Sequence, residues 1–236
     1  MLKGEVLKYI LVTHTHRDHS PAAISLKKLT GAEIYGCRPR NNDPMKGVSD
    51  WGLEDSHDQT YIPDRILNDG DLISLSEASL QTLETPGHTA NHLCFALLEE
   101  KALFTGDHVM GWSTTLIAPP DGSMRDYMRS LESLRLRDDI IFWPGHGAPI
   151  DAPQRYIRAV IHHRRARERA ILNRLAAGKQ TISNIVDEIY VNLNPRLRSG
   201  AEMTVYAHLI DLVERNKATH DGSLALNGFY RLQTSS

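Results

Sequence analysis

The residues of this sequence best suited to chemistry are its clustered histidines and aspartates. Four of them lie in Thr13-His14-Thr15-His16-Arg17-Asp18-His19, directly after the apolar run Tyr9-Ile10-Leu11-Val12. Imidazole and carboxylate are the usual ligands of zinc and similar divalent ions. The run reads as a short buried strand, and the cluster as the loop into which it opens. A strand carries alternate side chains to one face, so His14 and His16 can reach one ion together. Asp18 and His19, on the turn beyond, are free to reach a second. A polar turn that happens to be rich in histidine is the competing reading of this stretch.

Two ions need more than four ligands, and three further places supply them in the same local setting. Thr85-Pro86-Gly87-His88 puts a histidine after a Pro-Gly turn at the end of a strand-like run, residues 80–84. Phe104-Thr105-Gly106-Asp107 puts an aspartate after another strand and a glycine. Trp143-Pro144-Gly145-His146-Gly147 repeats the pattern with glycine on both sides of the histidine. Glycine lets the backbone turn sharply and approach an ion with no Cβ in the way. One such site alone is a turn; four in one chain are a pattern.

The set His14, His16, Asp18, His19, His88, Asp107 and His146 resembles the metallo-β-lactamase superfamily of dinuclear metallohydrolases. The resemblance implies an α+β fold, an αββα sandwich with the metals at one edge of two packed sheets. It also implies that His14, His16 and His88 hold the first of two divalent ions, expected to be zinc. Asp18, His19 and His146 would hold the second, with Asp107 bridging both. Two ions roughly 3.5–4 Å apart lower the pKa of a shared water and clamp the attacking and leaving oxygens. The expected catalysis is attack by that bridging hydroxide, with Asp18 orienting it. Within the superfamily, Gly106-Asp107 through Gly111, Ser113-Thr114-Thr115 and Pro119-Pro120-Asp121-Gly122 are most similar to the β-lactamase-like protein 2 group.

The elements that must position these residues follow along the chain. A length of 236 residues with 41% hydrophobic content is ample for one core plus a small second domain. The net charge of −2 exerts no global pull on nucleic acid or acidic lipid. No apolar run approaches a membrane span, and the N-terminus has no signal-peptide character. Cys37 and Cys94 are too few for a disulfide framework, and a reducing, cytoplasmic setting is expected. Strands are expected at 9–12, 32–35, 72–75, 80–84, 92–98, 102–105 and 140–143, and helices at 22–29 and 126–136. In the resembled family several strands precede the metal-motif strand, so the chain reads as N-terminally shortened, with the first sheet short of neighbours. From Cys37 to about Asp71 the composition is polar and aperiodic, reading as a flap or a solvated excursion. As a flap it would use Arg38, Arg40 and Trp51 to hold substrate. His92 and His108 read either as groups that orient a ligand or as ordinary neighbours, and stand outside the metal set.

Past Pro149 the character changes, which places a catalytic domain over 1–150 and a second domain over 151–236. A long helix is expected over 154–177, with Tyr156, Ile157, Val160, Ile161, Ile171, Leu172 and Leu175 apolar. Its charged face would carry Arg155, Arg158, Arg164, Arg165, Arg167, Arg169 and Arg174. Helices at 181–190 and 201–217 and a hairpin ending in 229–232 complete a set that looks like a winged helix. The helix at the groove-reading position, 201–217, carries Glu202, Asp211 and Glu214 against Arg215 and Lys217, so it lacks the basic footprint of a DNA reader. The resemblance favours cleavage of single-stranded RNA, tracked by Arg158, Arg164, Arg165 and Arg167. An ester, thioester or lactone hydrolase is the alternative, and a non-catalytic shortened metal-binding protein is a third reading.

Overall fold

The computed structural model of the chain describes residues 4–40 and 57–234. Two sheets carry the N-terminal part. Strands β1 (Tyr9–Val12), β2 (Glu33–Gly36) and β3 (Arg65–Ile66) form a parallel sheet, with Ile10 opposite Ile34. Helix α1 (Ala22–Thr30) makes the crossover between β1 and β2 and stops at Gly31, whose φ of 77° is left-handed. The second sheet runs β4 (Leu72–Ser74), β5 (Ser79–Glu84), β6 (Leu93–Leu97), β7 (Ala102–Gly106) and β8 (Ile141–Pro144). Its pairs are antiparallel until β7–β8, which is parallel because helix α2 (Met124–Arg135) lies between them in the chain.

Strand β6 shows how the layers meet. Leu93 and Phe95 face the first sheet and pack with Val12, Ile34 and Ile73. Cys94 and Ala96 face the other way and pack with Leu103, Leu131 and Phe142. A strand buried on both faces reads as a continuous apolar run, as 93–97 does. Helix α2 covers the second face with Tyr127, Leu131 and Leu134, and its start is capped by Ser123 Oγ accepting from Asp126 N at 3.2 Å. The layer order is therefore helix, sheet, sheet, helix. Leu131→Ala would cost about 2–5 kcal/mol at such a site.

The C-terminal part comprises α3 (Pro153–Ala176), β9 (Gln180–Thr181), α4 (Ile182–Ile189), α5 (Arg198–Glu214), β10 (Ala218–His220) and β11 (Phe229–Leu232). The three strands form a small antiparallel sheet in the order β10-β11-β9. Helix α3 serves both cores: Ile157, Val160 and Ile161 pack with Leu103 and Phe142, whereas Ile171 and Leu175 pack with Ile185, Leu209 and Tyr230.

That double role corrects the charged face expected for α3. Arg164 is buried at 2% exposure, on the same stripe as Ile157 and Ile161, because the helix passes between two packed bodies. Arg167 lies over the Tyr190 ring at 4.1 Å and donates to Ile189 O at 3.1 Å. Arg155, Arg158, Arg165 and Arg169 remain exposed. Trp51 and residues 41–56 of the polar stretch fall outside the described residues. The rest of that stretch is more ordered than its aperiodic sequence implies, since it holds β3 and the segment around His57.

Candidate metal centre

All seven candidate side chains come together at the ends of β1, β5, β7 and β8. The ligand atoms of His14, His16 and His88 lie within 4.8 Å of one another, and so do those of Asp18, His19 and His146. His14, His19 and Asp107 make a third such group, so the two triads are continuous. Asp107 joins them. Its Oδ1 is 3.3 Å from His19 Nε2, and its Oδ2 is 3.5 Å from His146 Nε2 and 3.7 Å from His88 Nε2.

The contacts inside the first triad test whether the residues fit a cation. His88 Nδ1 lies 2.8 Å from the carbonyl of Leu116, which only a protonated Nδ1 can satisfy. His88 Nε2 is then a bare lone pair, and it faces His16 Nδ1 at 3.0 Å. His16 Nδ1 also faces His14 Nε2 at 3.0 Å. Whether or not His16 Nδ1 carries a proton, only one of these two contacts can be a full hydrogen bond. Asp107 Oδ1 is buried with no hydrogen-bond partner. Ligand atoms on a tetrahedral zinc with bonds of about 2.0–2.1 Å stand about 3.3 Å apart, which is the scale of these contacts. The donor set fits divalent ions and strains without them.

Electrostatics agree. Burial, reinforced by neighbouring histidines, holds His14 well below the ordinary imidazole range and pushes His16 down to about 3. Burial lowers His88 as well, against a partial rise from its bond to Leu116. These three are neutral near pH 7, the form that ligates. Burial opposes protonation of His19 too, but the Asp107 carboxylate beside it wins and raises its pKa. The second triad is the open side: the Asp18 and His146 side chains are 60% and 37% exposed.

Two glycines are required here by space. A Cβ on Gly145 would lie 2.7 Å from Asp107 Oδ1 and 2.9 Å from His19 Cε1. Gly87, at a φ of 143°, would put its Cβ 2.3 Å from the Tyr127 Cα. The turns that present His146 and His88 therefore exist only with glycine at these positions.

Supporting residues surround the set. His92 Nε2 accepts from the backbone N–H of Asp107 at 3.1 Å, which leaves its Nδ1–H for Thr85 Oγ1 at 2.9 Å. His57 was hidden in the polar stretch, where nothing in its neighbours marks it. The structure buries it against His16, with ring centroids 4.6 Å apart. Its Nδ1 meets Thr15 Oγ1 at 3.1 Å, and its Nε2 lies 3.4 Å from Asp121 Oδ2. Arg38 and Arg40 line a cavity of about 330 Å³ shared with Asn91, His92 and Asp121. Trp112 is 74% exposed on a loop whose Gly111 N–H donates to His146 O at 2.8 Å.

Comparison with known proteins agrees with this architecture. Residues 2–146 match the metallo-beta-lactamase superfamily, and residues 181–227 match the beta-lactamase associated winged helix domain. The chain is 32% identical over 187 residues to the beta-lactamase-like protein 2 homolog of Caenorhabditis elegans, covering 79% of this chain and 58% of that protein. It is 32% identical over 208 residues to the lactamase-like protein nscB of Trichophyton verrucosum, covering 81% of this chain and 64% of that one. It thus spans about three fifths of the length of these relatives. A beta-lactamase domain protein from Burkholderia ambifaria shares its fold, with a TM-score of 0.81 at 19% identity over 98% of this chain and 75% of that one. The chain belongs to the metallo-beta-lactamase superfamily, whose members are generally metal-dependent hydrolases, and carries a C-terminal beta-lactamase associated winged helix domain.

Proposed function

We propose that this chain is a hydrolase whose seven-residue cluster holds two divalent ions, zinc by the character of its donors. His14, His16 and His88 would hold one ion and Asp18, His19 and His146 the other, with Asp107 between them. The observation that carries this reading is the placement of Asp107, buried and in contact with both triads. Such ions would supply an activated water and Lewis-acid stabilisation of the developing oxyanion. The chain's own residues do the rest. Neutral imidazoles, His14 buried and His16 and His88 half-buried, present lone pairs to the first site. His92 fixes the backbone of Asp107, and His57 braces the His16 ring. Asp18, exposed at the mouth, is placed to orient the nucleophile and take up its proton.

For substrate we propose single-stranded RNA. Trp112 stands at the rim beside His146 as a platform on which a base can stack, and Arg155, Arg158, Arg165 and Arg169 are exposed along α3. A specific observation favours a second reading, a small ester or thioester. A cleft of about 1070 Å³ between residues 119–125 and the C-terminal domain is walled by Glu202, Asp211 and Glu214 beside Arg125. These carboxylates are ion-paired with Arg125, Arg198 and Arg215, so the cleft offers phosphate no surplus of cations. Turnover of a short RNA oligomer beside a thioester and a lactone separates the two. RNA cleavage that chelator abolishes supports the first reading; thioester or lactone hydrolysis without RNA cleavage replaces it with the second.

A further inference from the structure

We propose that Arg164, on the helix that leads into the C-terminal domain, is a positioning residue of the metal centre and acts through Thr115. The proposal rests on the reading of the seven-residue cluster as a metal site.

A fully buried arginine ordinarily has a carboxylate partner. Arg164 has none among the described residues: its guanidinium lies 5.1 Å from the Tyr127 ring centroid, its Nε is unpartnered, and its terminal NH2 group donates to the carbonyl oxygen of Thr115. That carbonyl sits between two grips on the metal centre. On one side, the Thr115 hydroxyl donates to the backbone oxygen of Asp107 at 2.8 Å, with the oxygen of His108 at 3.1 Å. On the other, the next carbonyl, Leu116 O, accepts from His88 Nδ1 at 2.8 Å and so turns the His88 Nε2 lone pair toward His16. Two consecutive residues thus set the backbone of one proposed ligand and the tautomer of another. Arg164 holds the peptide between them.

The helix carrying Arg164 cannot shift freely, because its two halves are packed into different cores. It therefore gives this short segment a fixed point outside the catalytic layer. Residues that orient ligands in this way change metal affinity when removed, commonly by about 10- to 100-fold. A residue that only fills the seam between the two bodies would change stability and leave affinity alone.

The test uses the full chain with Arg164→Met, Thr115→Val and Thr115→Ser. Zinc affinity is read by competition with a chromophoric chelator, and folding by thermal melting of the metal-free protein. We expect Arg164→Met and Thr115→Val to weaken zinc binding by about 10- to 100-fold. The metal-free melting temperature of Arg164→Met should move little, since relief of an unpaired buried charge offsets loss of the bond to the Thr115 carbonyl. Thr115→Ser keeps the hydroxyl and should keep wild-type affinity. Wild-type affinity in a folded Arg164→Met, or in Thr115→Val, would overturn the proposal. So would equal losses in Thr115→Val and Thr115→Ser, a comparison that stands even where Arg164→Met fails to fold. A wild-type chain that binds no zinc would overturn the metal reading itself, a result distinct from either.

Discussion

The backbone N–H of Asp107 donates to the Nε2 of His92 at 3.1 Å, and both groups are buried. This bond settles the tautomer of His92 and fixes the backbone of Asp107, whose carboxylate touches both halves of the site. His92→Phe would leave the Asp107 N–H buried without a partner, at a cost of about 1–3 kcal/mol. Zinc affinity should fall with it, by about 10- to 100-fold. Urea unfolding and chelator competition on the same variant check both numbers; unchanged affinity would show that His92 only fills space.

Gly145 brings the backbone close against the centre. Gly145→Ala would drive a methyl group toward Asp107 Oδ1 and the His19 ring, and bound metal should drop below the wild-type amount at equal protein. Ala148→Gly, a change at a nearby position outside the ligand set, serves as the control and should leave metal content unaltered. Elemental analysis of the two variants decides the matter.

Acid should destabilise the metal-free protein through histidines that are buried and neutral. Burial, aided by His88 and Arg164 for His108 and by Arg164 and Arg167 for His208, pushes both down to about 3 from 6.5. The unfolded chain takes up these protons near pH 6.5, whereas the folded chain refuses them. Their contribution to stability is therefore complete above 6.5 and declines as the pH falls from there toward 3. Each such group adds a slope of about 1.4 kcal/mol per pH unit in that window. Replacing His208 with Gln should make the decline shallower by about one proton's worth, measured by urea titrations from pH 7 to 5. An unchanged slope would mean that His208 protonates in the folded state.

If RNA is the substrate, Arg158 and Arg165 are among the exposed side chains of α3 that would reach phosphates. Arg165 is held only by an exposed pair with Glu132, which is worth little. Replacing both with alanine should flatten the dependence of log binding constant on log salt by about one to two units, with metal content unchanged. An unaltered slope would remove α3 from the RNA path.

Much of this arrangement was legible in the sequence because it is local. The run Tyr9-Ile10-Leu11-Val12 forms β1 as read, the buried run at 93–97 forms β6, and Tyr127, Leu131 and Leu134 share one helical face. All seven cluster residues proved to be neighbours because each stands where a strand ends on a tight turn. What escaped the sequence is long-range. Strands β3 and β9 have two residues each, too few for any periodicity. His57 gains its setting only from its bridge to His16 across 41 positions of chain. Arg164 is the instructive error. Its spacing from Ile157 and Ile161 puts it on the apolar stripe, but its charge argued for the solvent, and only the packing of α3 between two cores shows the spacing to be the better guide.

The central claim is that one cluster holds two metal ions shared through Asp107. Its most direct measurement is metal stoichiometry by elemental analysis of zinc-loaded wild type, His88→Ala and Asp107→Asn, with retention followed during dialysis against a graded chelator. The account predicts close to two ions in wild type, weakened retention of one in His88→Ala, and weakened retention of both in Asp107→Asn. A wild-type chain that holds no metal, or an Asp107→Asn variant that retains both ions as wild type does, would contradict it.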